Sequence, residues 1–309
     1  EQENPMKKLF IYFLTALFLF MPMQAMAEAK GCGTKNSLFP QPKANLFSIA
    51  EDIEAGKTIA KRAEEELEEY FEKPISLVSD EVIESYLADM LSKVLIHAPD
   101  GAGEFEYSFI LYDHDQHDVR ATPGGTIIAS LGAVAKATDD DAVAFMLAHE
   151  VGHVYLRHFT RKLSLKHSRG QMDKLAGVAI SAFKEPPKDT DKSFELDIKI
   201  FELSQKELQD LYEYPNALVR VHETEADIFS AFVGTEAGFR TGSTARFYRE
   251  IPDDPGYGWL DWDAYPNNLV RALIYECISP QRPRAEKETE SEDLKKARAR
   301  AQELLANKK

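Results

Sequence analysis

His149-Glu150-Val151-Gly152-His153 makes chemical sense in one conformation, an α-helix. One helical turn separates residue i from i+4, so both imidazoles project from the same face and can bind one metal ion. Glu150 lies one residue round the helix, beside such an ion rather than on it, where a general base belongs. The flanking Val143, Phe145, Met146, Leu147, Val151 and Val154 are apolar, which predicts a buried turn. Two histidines and a glutamate are costly to bury, and a bound cation offsets that cost. This helix is predicted to start near Thr138, a suitable N-cap. Asp139, Asp140 and Asp141 then sit where the helix dipole favours carboxylates, and the helix should run at least to His158.

A catalytic zinc takes three protein ligands and keeps one position open. A histidine six residues beyond His153 is excluded, because that position is Phe159, and His158 falls one residue short. A stronger candidate lies in Arg220-Val221-His222-Glu223-Thr224-Glu225-Ala226-Asp227. Glu223 and Asp227 stand four apart and share a helical face. Glu223 can therefore ligate the ion while Asp227 accepts the N–H of a ligating histidine. His222 is the rival ligand, but it points about 100° away from Glu223, so only one of the two can face the metal.

Around these motifs the chain alternates helical and extended patterns. Apolar residues at helical spacing predict amphipathic helices over 48–72 and 80–97. Alternation from Phe105 to Leu111 predicts a strand, and Thr126–Ala129 a second, entered through Pro123-Gly124-Gly125. Further helices are predicted over 162–183 and 218–237. Residues 184–217 are irregular, and whether they plug a cleft is left open. Residues 279–309 form a charged tail, read as an exposed helix or disordered appendage. His97, His114, His117 and His167 read as surface residues.

The first 27 residues read as a secretory signal. Lys7 and Lys8 precede a twelve-residue apolar run from Leu9 to Phe20, and Ala25-Met26-Ala27 supplies a cleavage site. The run is too short for the ~20 residues of a membrane span. The expected product is periplasmic or secreted, with a linker or arm over 28–48 and one domain over 49–278. A lipid anchor at Cys32 is the less favoured alternative, because Lys30 sits where a small or aliphatic residue is usual. Two cysteines are too few for a disulfide framework, and whether Cys32 meets Cys277 is left open. With 52 acidic against 37 basic side chains, a formal charge of −15, the chain lacks the basic footprint of a nucleic-acid binder.

Thr122-Pro123-Gly124-Gly125-Thr126-Ile127, Leu131-Gly132, Ala148 to Val154 with Arg157-His158, and Arg220-x-x-Glu223-x-x-Ala226-Asp227 follow one another in an order that is specific. Over about residues 49–275 they resemble the HtpX/BepA type of zinc metallopeptidase, relatives of the CAAX prenyl endopeptidases in peptidase family M48. The resemblance implies an α+β gluzincin fold, mostly helical, with a small β-sheet whose edge strand flanks the zinc helix. It implies one Zn²⁺ per chain on His149, His153 and Glu223, with Glu150 as catalytic base. It also implies that residues 124–130, including Gly124, Gly125, Thr126 and Ile127, form the edge strand that pairs with an extended polypeptide substrate. Association with envelope proteins or a membrane surface goes with it. One departure stands out. Tyr265-Pro266 with Arg271 keeps the spacing of a family motif whose tyrosine position is usually histidine. Tyr265 either donates a hydrogen bond to the oxyanion or only packs.

These readings converge on an exported zinc endopeptidase acting on misfolded or damaged envelope proteins. The alternative is a zinc-bearing, peptidase-weak, chaperone-like binding protein of the envelope. Intact Glu150 argues against it, because binding alone requires no such base.

Overall fold

The computed structural model describes residues 39–43, 45–168, 215–250, 266, 268–278 and 290–307. The signal segment, Cys32, Tyr265 and the irregular stretch up to residue 214 lie outside the described residues. Among those described, no helix is long and apolar enough to cross a membrane. The architecture is α+β and mostly helical, with one small mixed sheet.

The stretch predicted as one helix is two, α1 (Ile49–Lys61) and α2 (Ala63–Phe71), separated at Arg62. Ser48 and Glu51 form a reciprocal capping box that fixes the start of α1. Then come β1 (Leu77–Val78), α3 (Glu81–Leu95), β2 (Ser108–Tyr112), β3 (Val119–Ala121), β4 (Thr126–Ser130) and the short α4 (Leu131–Ala135). Next are α5 (Asp140–Tyr155), α6 (His158–Ser168), α7 (Pro215–Glu236), α8 (Gly242–Glu250), α9 (Asn268–Ile278) and α10 (Glu292–Ala306).

The strand order is β1-β2-β4-β3. β2 and β4 run parallel, from Ser108 opposite Thr126 to Tyr112 opposite Ser130. β3 pairs antiparallel with β4, Arg120 opposite Ile128. This corrects the expected edge. Thr126 and Ile127 belong to an inner strand bonded on both sides, and the carbonyls of Gly124 and Gly125 accept from Glu106 and Ser108. Each of these four already has backbone bonds within the sheet or its entry turn. Among the described residues the outer strands are β1 and β3, and α5 packs beside β3. Gly124 and Gly125 serve the turn into β4 instead, with φ of 87° and 117°, values that side chains rarely allow.

Alternation along the inner strands divides the core. Leu111, Ile127 and Ala129 face Leu87, Met90 and Val94 of α3 and Leu147 and Val151 of α5. Tyr112 and Ile128 face Ala63 and Leu67 of α2. The charged tail is a second correction. α10 packs on α3 and α4 and buries Leu294, Ala297 and Ala301 in the main core. Among the histidines expected at the surface, His97 is exposed. His114 is buried, its ring stacked on Phe71 at 4.0 Å.

α5 starts one residue later than expected. Asp139 is the N-cap, its Oδ1 accepting from the Ala142 N–H at 2.9 Å. The helix also ends earlier, at Tyr155, because Arg157 adopts φ 56°. That left-handed residue is held by Asp52 and the Phe47 carbonyl, which its guanidinium bonds.

Candidate metal centre

Two helices build the centre, α5 with His149, Glu150 and His153, and α7 with Glu223 and Asp227. Gly152 sets how closely they approach. A Cβ there would lie 3.1 Å from the Phe229 ring and 3.3 Å from Ala226 Cα, both on α7. The glycine inside the motif thus lets Glu223 reach the two histidines.

His149 Nε2 and His153 Nε2 are 2.9 Å apart. The Glu223 carboxylate lies 3.2 Å from the first and 3.4 Å from the second. A tetrahedral ion with ligand bonds of about 2.05 Å has ligand–ligand edges of about 3.3 Å. The two ring nitrogens and the carboxylate, which meets them through different oxygens, are spaced near that edge length, and these residues could hold a metal ion.

Asp227, fully buried, stands behind the centre. Its Oδ1 accepts from His149 Nδ1 at 3.0 Å, from Arg271 Nη2 at 2.9 Å and from the Tyr275 hydroxyl at 3.2 Å. Its Oδ2 accepts from Arg271 Nε at 2.7 Å. The bond from His149 Nδ1 leaves the Nε2 lone pair aimed at the centre. Arg271 also approaches Glu223 at 3.6 Å and lies over the Tyr248 ring at 4.4 Å. The sequence marked Arg271 only by its spacing from Pro266; its pairing with Asp227 and the Tyr275 contact were missed, because nothing local in α9 signals a partner on α7.

The charges are strongly coupled. Burial works against a carboxylate at Glu223, but His153, His149 and Arg271 outweigh it and pull its pKa down to about 2. Asp227 is depressed further, burial being overcome chiefly by Arg271. Burial would lower the pKa of His149, yet the bonds from Asp227 and Glu223 push it up to about 10. Burial lowers His153 to about 3, keeping it neutral as a ligand must be.

Glu150 is the exception among the carboxyls. Burial raises it to about 7, against the pull of His149 and of the Ala121 backbone on edge strand β3. It opens, with His149, His153 and Glu223, into a cleft of 580 Å³. Val119 to Thr122 line one side, with Val143 and Met146 of α5 and Phe247 and Tyr248 of α8 elsewhere around it. His222 does not compete with Glu223. Its ring stacks on His158, centroids 4.2 Å apart, in a separate buried cluster with Glu225.

A family model for peptidase family M48 matches residues 81–280. A Vibrio cholerae protein named "Putative beta-barrel assembly-enhancing protease" is 24% identical over 212 residues. The match takes in 68% of this chain but 40% of that protein, so the chain spans about two fifths of its relative's length.

Proposed function

The chain belongs to peptidase family M48, and from that premise we propose that it is an exported zinc-dependent endopeptidase of the cell envelope. His149, His153 and Glu223 would hold the ion. A zinc ion held there would lower the pKa of its water to near neutrality and polarise the scissile carbonyl. Glu150 takes the proton from the attacking water and passes it to the leaving amine, and a pKa near neutrality suits both transfers. Asp227 and Arg271 keep His149 and Glu223 in place meanwhile. The substrate backbone lies extended along the outer side of β3, beside Glu150.

The observation that carries this reading is the position of Glu150, an ionisable carboxyl in the cleft beside the three candidate ligands and next to the edge strand. Misfolded or damaged envelope proteins are the proposed clients. The relative's name links it to β-barrel assembly, and residues 1–27 carry the pattern of an export signal. Digestion of casein by the chain with zinc, beside Glu150→Gln, tests the activity. Cleavage by the wild type alone, abolished by a chelator, is expected. No cleavage by either protein with zinc still bound would favour the chaperone-like alternative; equal cleavage would remove Glu150 as the base.

A further inference from the structure

To ligate through Nε2, a neutral histidine must carry its proton on Nδ1. Asp227 arranges this for His149 directly. For His153 the neighbour is another imidazole, with His153 Nδ1 2.9 Å from His158 Nδ1. Two such nitrogens bond only when one donates and the other accepts. The far side of His158 decides which. Its Nε2 lies 3.1 Å from Glu225 Oε2, and that carboxylate is held by Arg161 Nη1 at 2.6 Å and Lys43 Nζ at 3.3 Å. An ionised Glu225 only accepts, so it takes the N–H of His158 Nε2. His158 Nδ1 is then a bare acceptor, and His153 donates to it from Nδ1. The Nε2 lone pair of His153 is left facing the centre.

We propose that His158 and Glu225 form a buried relay that fixes the tautomer and ring orientation of His153 as a metal ligand. They are positioning residues, and the inference rests on the zinc reading given above. The local backbone makes the relay. On an unbroken helix His158 would lie about 140° round from His153 and point elsewhere. The left-handed turn at Arg157 ends α5 and folds His158 back against it.

His158, His222 and Glu225 also have the composition of a metal site, but their geometry opposes one. The two rings are parallel within 4° and 4.2 Å apart. Imidazole lone pairs lie in the ring plane, and stacked parallel rings share no point in both planes. The charge of Glu225 is moreover already met by Arg161 and Lys43.

The test is zinc affinity and stoichiometry of the full chain, by competition with a chelating dye, for wild type, His158→Ala and His158→Asn. One zinc per chain is expected. His158→Ala should weaken it about 10–100-fold. His158→Asn should recover most of that loss, because its amide oxygen sits where Nδ1 was and accepts the same bond. Recovery separates an acceptor role from mere packing. Unchanged affinity in His158→Ala, or no recovery in His158→Asn, would overturn the relay and leave the zinc centre standing. A second zinc that disappears in His158→Ala would make His158 a ligand of its own site and also overturn it. A wild-type chain that binds no zinc would sink the centre itself, and the relay with it.

Discussion

Asp227→Asn changes one atom and leaves the shape of the side chain intact. Asp227 accepts four hydrogen bonds, three of them on Oδ1 and one, from Arg271 Nε, on Oδ2. An asparagine has one acceptor oxygen and one donor nitrogen. With its oxygen toward His149, its amide N–H₂ meets Arg271 Nε at 2.7 Å, donor against donor. With the amide reversed, the N–H₂ faces His149 and Tyr275, and His149 must move its proton to Nε2, into the centre. Either way Arg271, itself buried, keeps among the described residues Glu223 at 3.6 Å as its charged partner. Removing one partner of a buried ion pair costs about 3–5 kcal/mol. For a domain of this size that is a fall in Tm of roughly 6–20 °C. Zinc affinity should fall about 10–100-fold as His149 loses its fixed tautomer. Differential scanning calorimetry of the zinc-free chain reads the first effect and dye competition the second. A Tm within a degree or two of wild type, with unchanged zinc affinity, would refute the argument from donor and acceptor counting.

Other expectations follow from single contacts. Gly152→Ala pushes a methyl against Phe229 and Ala226 Cα, so urea unfolding should show a loss of about 1–3 kcal/mol, with weaker zinc binding as α7 moves back. Leu294→Ala should cost about 2–5 kcal/mol by the same measurement if α10 belongs to the core; no change would restore the tail to an appendage. His117 bears on acid sensitivity, because burial lowers its pKa to about 4 in the folded chain, against about 6.5 unfolded. Between those values the unfolded chain binds the extra proton, so this contribution to stability falls as pH falls. His117→Phe should therefore narrow the Tm difference between pH 7 and pH 5, and an unaltered difference would count against a His117 kept neutral in the fold.

The helix of the H-E-x-x-H motif could be read from sequence because every local signal agrees there: periodic apolar flanks, acidic first turn and metal-ligand spacing. The i, i+4 pair Glu223 and Asp227 was legible for the same reason, since helical geometry alone puts both on one face. Pairing across the sheet was not. Val119-Arg120-Ala121 is too short to show alternation, and its partner strand is fixed only by the turn at Gly124-Gly125. The edge was accordingly assigned one strand too far along. His158 was read as a ligand one position short and as part of the family motif, not as a partner of His153, because a single left-handed residue, Arg157, decides where it points, and nothing in that residue's type announces it. α10 read as solvated because two of its three buried side chains are alanines, Ala297 and Ala301, set among charges.

Anomalous diffraction at the zinc edge from crystals of the zinc-loaded chain tests the central claim most directly. The account predicts one peak per chain, about 2.0–2.2 Å from His149 Nε2, His153 Nε2 and a Glu223 oxygen, with Glu150 beside it and not bonded to it. A peak on His158, His222 and Glu225, or none on α5 at all, would contradict it.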